Sequence, residues 1–317
     1  MYLLQFFASL TKKNNIPILI YLVLNVALIT WIFYGFQSYN GVENPNFWGC
    51  LGTALIFYVV SLFIALSPVG EWILRLQNGC KKITRKEQIA KIEPIFNEVY
   101  SKAKEMHPEL RDDITLYIKG KSKKSRKNGD DGNEVNAFAV GRKTVCITEG
   151  LLYMPEDQIK AVLGHEFGHL AHHDTDMILL ITVGNFLVTG IISIVLIICS
   201  IMKFFFAIFS GGKESGIAGV MGLLMTAFFV FLINLFNRVW SQIGVWLVMK
   251  ASRSNEYLAD EFSFNLGYGV PLCEFLDNNA GGYAAEGLFA ALASSHPATD
   301  DRIAKLQELG CEYKKSY

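Results

Sequence analysis

Charge is scarce in this chain. Only 18% of its 317 residues are Asp, Glu, Lys or Arg, and 29 acidic side chains cancel 29 basic ones. A balance of zero gives no reason to expect a nucleic-acid partner. Cysteine is sparse as well. Cys50, Cys80, Cys146, Cys199, Cys273 and Cys311 show no C-x-x-C spacing, so neither a zinc knuckle nor a disulfide frame is indicated. Histidine is limited to six positions, which makes any clustering of it informative. What the chain has instead is apolar residues. They make up 51% of it, with 23 Phe, and they gather in long runs, the composition of a membrane protein.

Four runs, at 16–36, 50–74, 177–202 and 217–240, are long enough to span a bilayer at about 20 residues per crossing. The first is too long for a signal-peptide core and lacks a small-residue cleavage site, so it reads as a retained helix and not a secretory signal. Asn185 in the third run suits a contact between helices. The fourth stays apolar as far as Met249, so its far end projects beyond the hydrocarbon. Lys12, Lys13, Arg75, Lys81, Lys82, Arg85, Lys86, Lys250 and Arg253 flank the runs on one side, which the positive-inside rule assigns to the cytoplasm. The expected division is a transmembrane hairpin over 1–78, a soluble block over 79–176, a second hairpin over 177–248 and a second block over 249–317. An even number of crossings leaves both blocks on one face.

Within the first block, residues 89–106 carry a helical pattern. Ile114–Gly120 alternates like a strand, and Asn136–Gly141 and Thr144–Thr148 read as two strands joined by a turn at Gly141-Arg142-Lys143. The basic loop 119–127 reads as a solvated tip in preference to a lipid-binding site. Residues 203–216 read as a loop between the third and fourth runs.

Between the strands and the third run stands Gly164-His165-Glu166-Phe167-Gly168-His169, an H-E-x-x-H sequence. On a helix of about 3.6 residues per turn the two imidazoles lie on one face, roughly 40° apart around the axis. Two imidazoles so placed can hold one metal ion, with Glu166 near enough to take a proton from water. Pro155, Glu156 and Asp157 suit the start of that helix. His172 and His173 read as residues of the helix end, with a role behind a ligand open for His172. A zinc hydrolase site takes three protein ligands. Glu256, four residues before Asp260 on a helical pattern, is the best third candidate. Asp260 is then placed to hydrogen-bond the far nitrogen of a ligand histidine. An amphipathic helix with solvated acids explains the same spacing. His296, ahead of Pro297, is either a loop histidine or a proton-bearing donor toward a reacting carbonyl oxygen.

The H-E-x-x-H motif, Ser252-Arg253 with Asn255 to Asp260, Asn136-Ala137-Phe138-Ala139, and Ser295-His296-Pro297 with Asp301-Arg302-Ile303 occur here in one order. In this the chain resembles the HtpX-type integral membrane metallopeptidases, which are related to the CaaX prenyl proteases. The resemblance implies an α+β membrane protein with four transmembrane helices. Its cytoplasmic zinc-metalloprotease domain would be mostly helical with a small β-sheet. It implies one Zn2+ held by His165, His169 and Glu256, with Glu166 as general base and Asp260 behind a ligand. Asn136 and Phe138 would lie on a strand that binds extended peptide, with Arg253 and His296 lining the site. Polypeptide substrates, above all membrane proteins, would be cleaved at the cytoplasmic face of an inner or plasma membrane in protein quality control. Four crossings favour the HtpX branch over a prenyl-protein protease. A zinc transporter would need ligands at mid-membrane, and a non-catalytic scaffold would have no use for Glu166.

Overall fold

The computed structural model describes residues 11–119, 135–209, 216–279 and 298–314. The chain folds as two compact units. One comprises Met1–Leu19, Leu62–Leu179 and Val248–Tyr317, and the other Ile20–Ser61 and Leu180–Leu247.

Two helices open the chain, α1 (Ile16–Tyr39) and α2 (Phe47–Ala65), and then a short α3 (Pro68–Gln77). The apolar run 50–74 is therefore not one helix. Pro68 has no N–H to continue α2, and the Ser67 hydroxyl accepts from the backbone N–H of Val69 and Gly70 and starts a new helix. There follow β1 (Cys80–Lys81), α4 (Lys86–Met106), β2 (Thr115–Lys119), β3 (Ala137–Val140) and β4 (Thr144–Thr148). The chain continues through α5 (Glu156–His172), α6 (Asp174–Phe209), α7 (Gly216–Ser263), α8 (Gly269–Asn278) and α9 (Thr299–Glu308).

In the second unit Val26, Ile29, Ala54, Tyr58, Val188 and Ile192 form the packed centre. The Trp240 indole N–H donates to Asn25 Oδ1 at 3.1 Å, which satisfies the indole in apolar surroundings. Outward-facing Phe57, Ile197, Phe228 and Phe231 are more than half exposed, the surface lipid requires. Four stretches are long and apolar enough to cross a membrane: Ile16–Tyr39, Phe47–Ile64, Phe186–Ile208 and Gly219–Gly244. The third lies further along than the run 177–202, because the first turns of α6 belong to the other unit, where Leu179 packs with Leu66, Leu74 and Val140. The loop expected from residue 203 is also displaced. Lys is itself a good helix former and no Gly or Pro lies between Lys203 and Phe209, so α6 continues through Phe204 to Phe209. The 48 residues of α7 make a rod about 72 Å long at 1.5 Å per residue, more than twice the roughly 30 Å of hydrocarbon.

The first unit is built on a four-stranded sheet in the order β1-β2-β4-β3. β2 and β4 run parallel, and β1 and β3 lie antiparallel on the two edges. β4 is buried along its whole length, so it has no alternation, whereas β3 keeps a half-buried face. Gly141, at φ 61°, opens the three-residue turn between β3 and β4. Ile92 and Val99 of α4, Val145 and Ile147 of β4, Ile159, Leu163 and Phe167 of α5, Leu272 of α8 and Leu306 of α9 make one core. The α5 helix thus has the sheet, α4, α8 and the end of α7 as neighbours, and from Gln158 to Ala171 all its residues but Lys160 and His169 are buried.

Candidate active site

Burial of α5 brings the polar side chains of His165 and Glu166 with it, and leaves His169 half-buried beside them. Gly164 and Gly168, spaced like a small-residue seam, let the end of α7 lie against this helix. A Cβ at Gly168 would stand 2.9 Å from Ala259 Cα and 3.0 Å from Phe262 Cβ. The Ser263 hydroxyl closes the seam by donating to Ala161 O at 2.8 Å. Close approach there carries Glu256, almost one turn earlier on α7, to the two histidines.

The imidazoles face each other with Nε2 to Nε2 at 3.2 Å, and the Glu256 oxygens lie 3.5 Å from His165 Nε2 and 3.4 Å from His169 Nε2. Ligand atoms about 2.0–2.2 Å from a tetrahedral zinc stand roughly 3.3–3.5 Å from one another. The three donor atoms thus fit one small cation. Each imidazole has its Nδ1 against a carboxylate, His165 on Asp260 at 2.9 Å and His169 on Asp174 at 2.9 Å. With Nδ1–H donating, both Nε2 lone pairs point at the shared space, a repulsive arrangement that a metal or a proton relieves.

The electrostatics point the same way. Four buried carboxylates, Glu166, Asp174, Glu256 and Asp260, surround one buried guanidinium, Arg302. Burial alone lowers the pKa of both histidines. Hydrogen bonds from Asp260 and Glu256 outweigh it at His165, and those from Asp174 and Glu256 do so more strongly at His169, so both stand above the usual imidazole value. Without a metal, protons would answer the excess negative charge. Burial pushes Asp260 up, and the Arg302 guanidinium with His165 more than reverses it, holding the carboxyl below its ordinary value. Arg302 reaches Asp260 through Nε at 2.7 Å and Nη2 at 2.5 Å, and Nη1 stands 3.7 Å from Glu256 Oε2. Its Nη2 is also 3.4 Å from His165 Nδ1, but two donors cannot bond, so Asp260 Oδ1 accepts from both.

Glu166 points the other way from Glu256, toward the sheet. Its Oε2 accepts from the Ala139 backbone N–H at 2.6 Å. That N–H is free of the β3–β4 ladder because alternate residues of an edge strand face outward.

The sequence-derived residues fall unevenly around this point. His165, Glu166, His169, Glu256 and Asp260 converge. Asn136 exchanges hydrogen bonds with Thr148 at the mouth of β3, and Phe138 packs beside Leu66, Leu74 and Leu179. Arg253 is exposed, three residues before Glu256 on α7. His296 lies outside the described residues. His172 takes no place behind a ligand. Its ring faces His107 and Phe262, at 6.2 and 6.0 Å between centroids, and Asp260 and Asp174 hold the far nitrogens instead.

Asp174, Arg302 and the Ala139 N–H have no role in the sequence reading. Arg302 and Ala139 left a signal only as members of the Asp301-Arg302-Ile303 and Asn136-Ala137-Phe138-Ala139 motifs. Asp174 returns to His169 because His173 ends α5 in the left-handed conformation at φ 62°, ψ 25°, and no spacing rule foretells that.

The pattern of peptidase family M48 matches residues 102–310. Protease HtpX of Shewanella halifaxensis is 27% identical over 290 residues, spanning 86% of this chain and 92% of that protein. A protease HtpX homolog of Methanothermobacter thermautotrophicus is 33% identical over 137 residues, 42% of this chain and 43% of its own length. Among solved structures, S. mikatae Ste24p aligns over 88% of this chain and 62% of its own chain, at 19% identity and a TM-score of 0.43. The matched residues take in both imidazoles, both glutamates and Arg302, and the chain also has four helices long and apolar enough to cross a membrane: it belongs to peptidase family M48, as an integral membrane metallopeptidase of the HtpX type.

Proposed function

We propose that this chain is a zinc endopeptidase that cuts membrane and misfolded proteins at the cytoplasmic face of the bilayer, in protein quality control. The observation that carries the chemistry is the convergence of His165 Nε2, His169 Nε2 and a Glu256 oxygen within 4.8 Å of one another. Their mix of two imidazoles and a carboxylate suits zinc. A zinc ion held there supplies Lewis acidity toward a water molecule and a peptide carbonyl.

The protein supplies the rest. Asp260 and Asp174 fix the tautomers that leave both Nε2 atoms as donors. Arg302 keeps Asp260 charged in a buried setting. Glu166 takes the proton of the attacking water and returns it to the leaving amine. Its carboxylate is aimed by the Ala139 N–H, on the strand edge where an extended substrate would add by main-chain hydrogen bonds. Recognition through main chain suits broad choice of sequence. His296 would steady the developing oxyanion. The basic flanks Lys81, Lys82 and Arg85 support the cytoplasmic orientation.

Glu166→Gln tests the reading. The variant is expected to keep its metal and lose at least about a hundredfold in peptide cleavage, the scale of general acid–base assistance. A metal-loaded Glu166→Gln protein that cleaves casein at the normal rate refutes it.

A further inference from the structure

One face of α3 is packed into the first unit and the other is bare. Gly70, Glu71 and Leu74 are buried, while Val69, Trp72, Ile73 and Leu76 are exposed at 57%, 57%, 38% and 65%. These four sit at i, i+3, i+4 and i+7, one continuous apolar stripe. The helix starts at Pro68, four residues after the apolar span Phe47–Ile64 ends. So short a tether reaches at most about 14 Å, so α3 begins at the membrane surface. Its one acid, Glu71, is turned inward. Exposed Lys81 and Lys82, just beyond its end, suit anionic head groups, while Arg75 turns inward over the Tyr117 ring. Trp72 is the side chain of choice for the boundary between hydrocarbon and water.

We propose that α3 lies in the head-group layer, with Val69, Trp72, Ile73 and Leu76 in lipid. A bilayer is the occupant, and not a second copy of the chain, because the stripe continues from a membrane span and carries basic flanks. The inner face gives this contact a consequence. Glu71 Oε1 accepts from the Arg142 backbone N–H at 2.5 Å, and Oε2 lies 3.3 Å from the Thr144 hydroxyl. The Arg142 guanidinium donates to Leu66 O. A Cβ at Gly141 would stand 2.6 Å from Glu71 Oε1, so the turn fits the carboxylate only as glycine. This turn joins β3 to β4, and β3 presents Ala139 to Glu166. The lipid surface therefore sets the position of the strand edge beside Glu166, through α3 and Glu71. The inference concerns lipid contact and is independent of the metal.

The test uses the full chain in nanodiscs of phosphatidylethanolamine and phosphatidylglycerol, with Trp72→benzoylphenylalanine. On illumination the expected product is a phospholipid adduct at position 72, identified by mass. Peptide adducts from a second copy, or the absence of lipid adducts, overturn the proposal. In the same discs, Trp72→Ser with Leu76→Ser is expected to speed amide exchange over residues 137–148 by about tenfold, as their local opening becomes easier. Exchange unchanged from the parent protein overturns the link to the strand edge.

Discussion

Adding one methyl group at Gly168 separates the ligand-bearing helices. The new Cβ would lie 2.9 Å from Ala259 Cα, 3.0 Å from Phe262 Cβ and 3.2 Å from Ala259 O. Carbon atoms in ordinary contact stand about 3.5–4.0 Å apart, so α5 and α7 must part by roughly 0.5–1 Å. No rotamer absorbs this, since the neighbours are backbone atoms and a first side-chain carbon. Gly168 adjoins His169, and Ala259 is three residues from Glu256, so the shift passes directly into the 3.4 and 3.5 Å gaps between carboxylate and imidazoles. Metal–ligand distances tolerate only about 0.2 Å. Overpacking of this kind costs about 1–3 kcal/mol, and Gly168→Ala is expected to lose roughly ten- to a hundredfold in zinc affinity. A chromophoric chelator titrated against the purified protein measures it. Gly164→Ala is the internal comparison. Its Cβ meets Ser263 Oγ at 3.0 Å and Leu266 Cδ1 at 3.3 Å, side-chain atoms that can rotate, so its loss is expected to be smaller. A Gly168→Ala protein that binds zinc as tightly as the parent, or more tightly than Gly164→Ala, refutes the reasoning.

Other expectations follow from the same centre. Arg302→Met leaves Asp260 buried without its cation and should destabilise the protein by about 3–5 kcal/mol, read as a lowered denaturation midpoint; Arg302→Lys should recover part of it. Asp174→Asn removes the carboxylate behind His169 and is expected to weaken metal binding about 10- to 100-fold in the same chelator titration. Ala139→Pro deletes the N–H aimed at Glu166 and should lower kcat about 10- to 100-fold with metal content unchanged, the worth of a hydrogen bond to a charged group. Low pH should favour the metal-free protein. Both imidazoles have raised values when folded, so their protonation stabilises that form fully below the unfolded value of about 6.5 and ceases to do so as pH rises through the folded values. Zinc needs them neutral. Its stabilising effect in thermal melts should therefore grow as pH rises and level off only above the raised folded values, and a flat profile would contradict the assignment.

Local regularities carried the sequence reading a long way. Four apolar helices follow from run length, the β3–β4 hairpin from two short strand-like stretches around the turn Gly141-Arg142-Lys143, and the paired imidazoles from a four-residue helical spacing. Where local pattern gives out, so did the reading. In the run 50–74 Pro68 suggests a kink, but the cap that starts a separate helix there is the Ser67 hydroxyl. The third span begins late because Leu179 is claimed by another core, a fact of packing and not of hydropathy. Asp174 reaches His169 through a left-handed residue, and Arg302 meets His165 across 137 positions of chain. Gly164 and Gly168 stand in plain view beside the H-E-x-x-H residues, yet their purpose is visible only once Ala259 and Phe262 lie against them.

That long separation in the chain has a bearing on biogenesis. During translation His165, Glu166 and His169 are made well before Arg302, and until α9 docks, Asp260 lacks its guanidinium partner. A nascent enzyme therefore lacks a settled cutting centre while most of its own body is still being threaded into lipid, and becomes dangerous to its neighbours only after its final helix is in place.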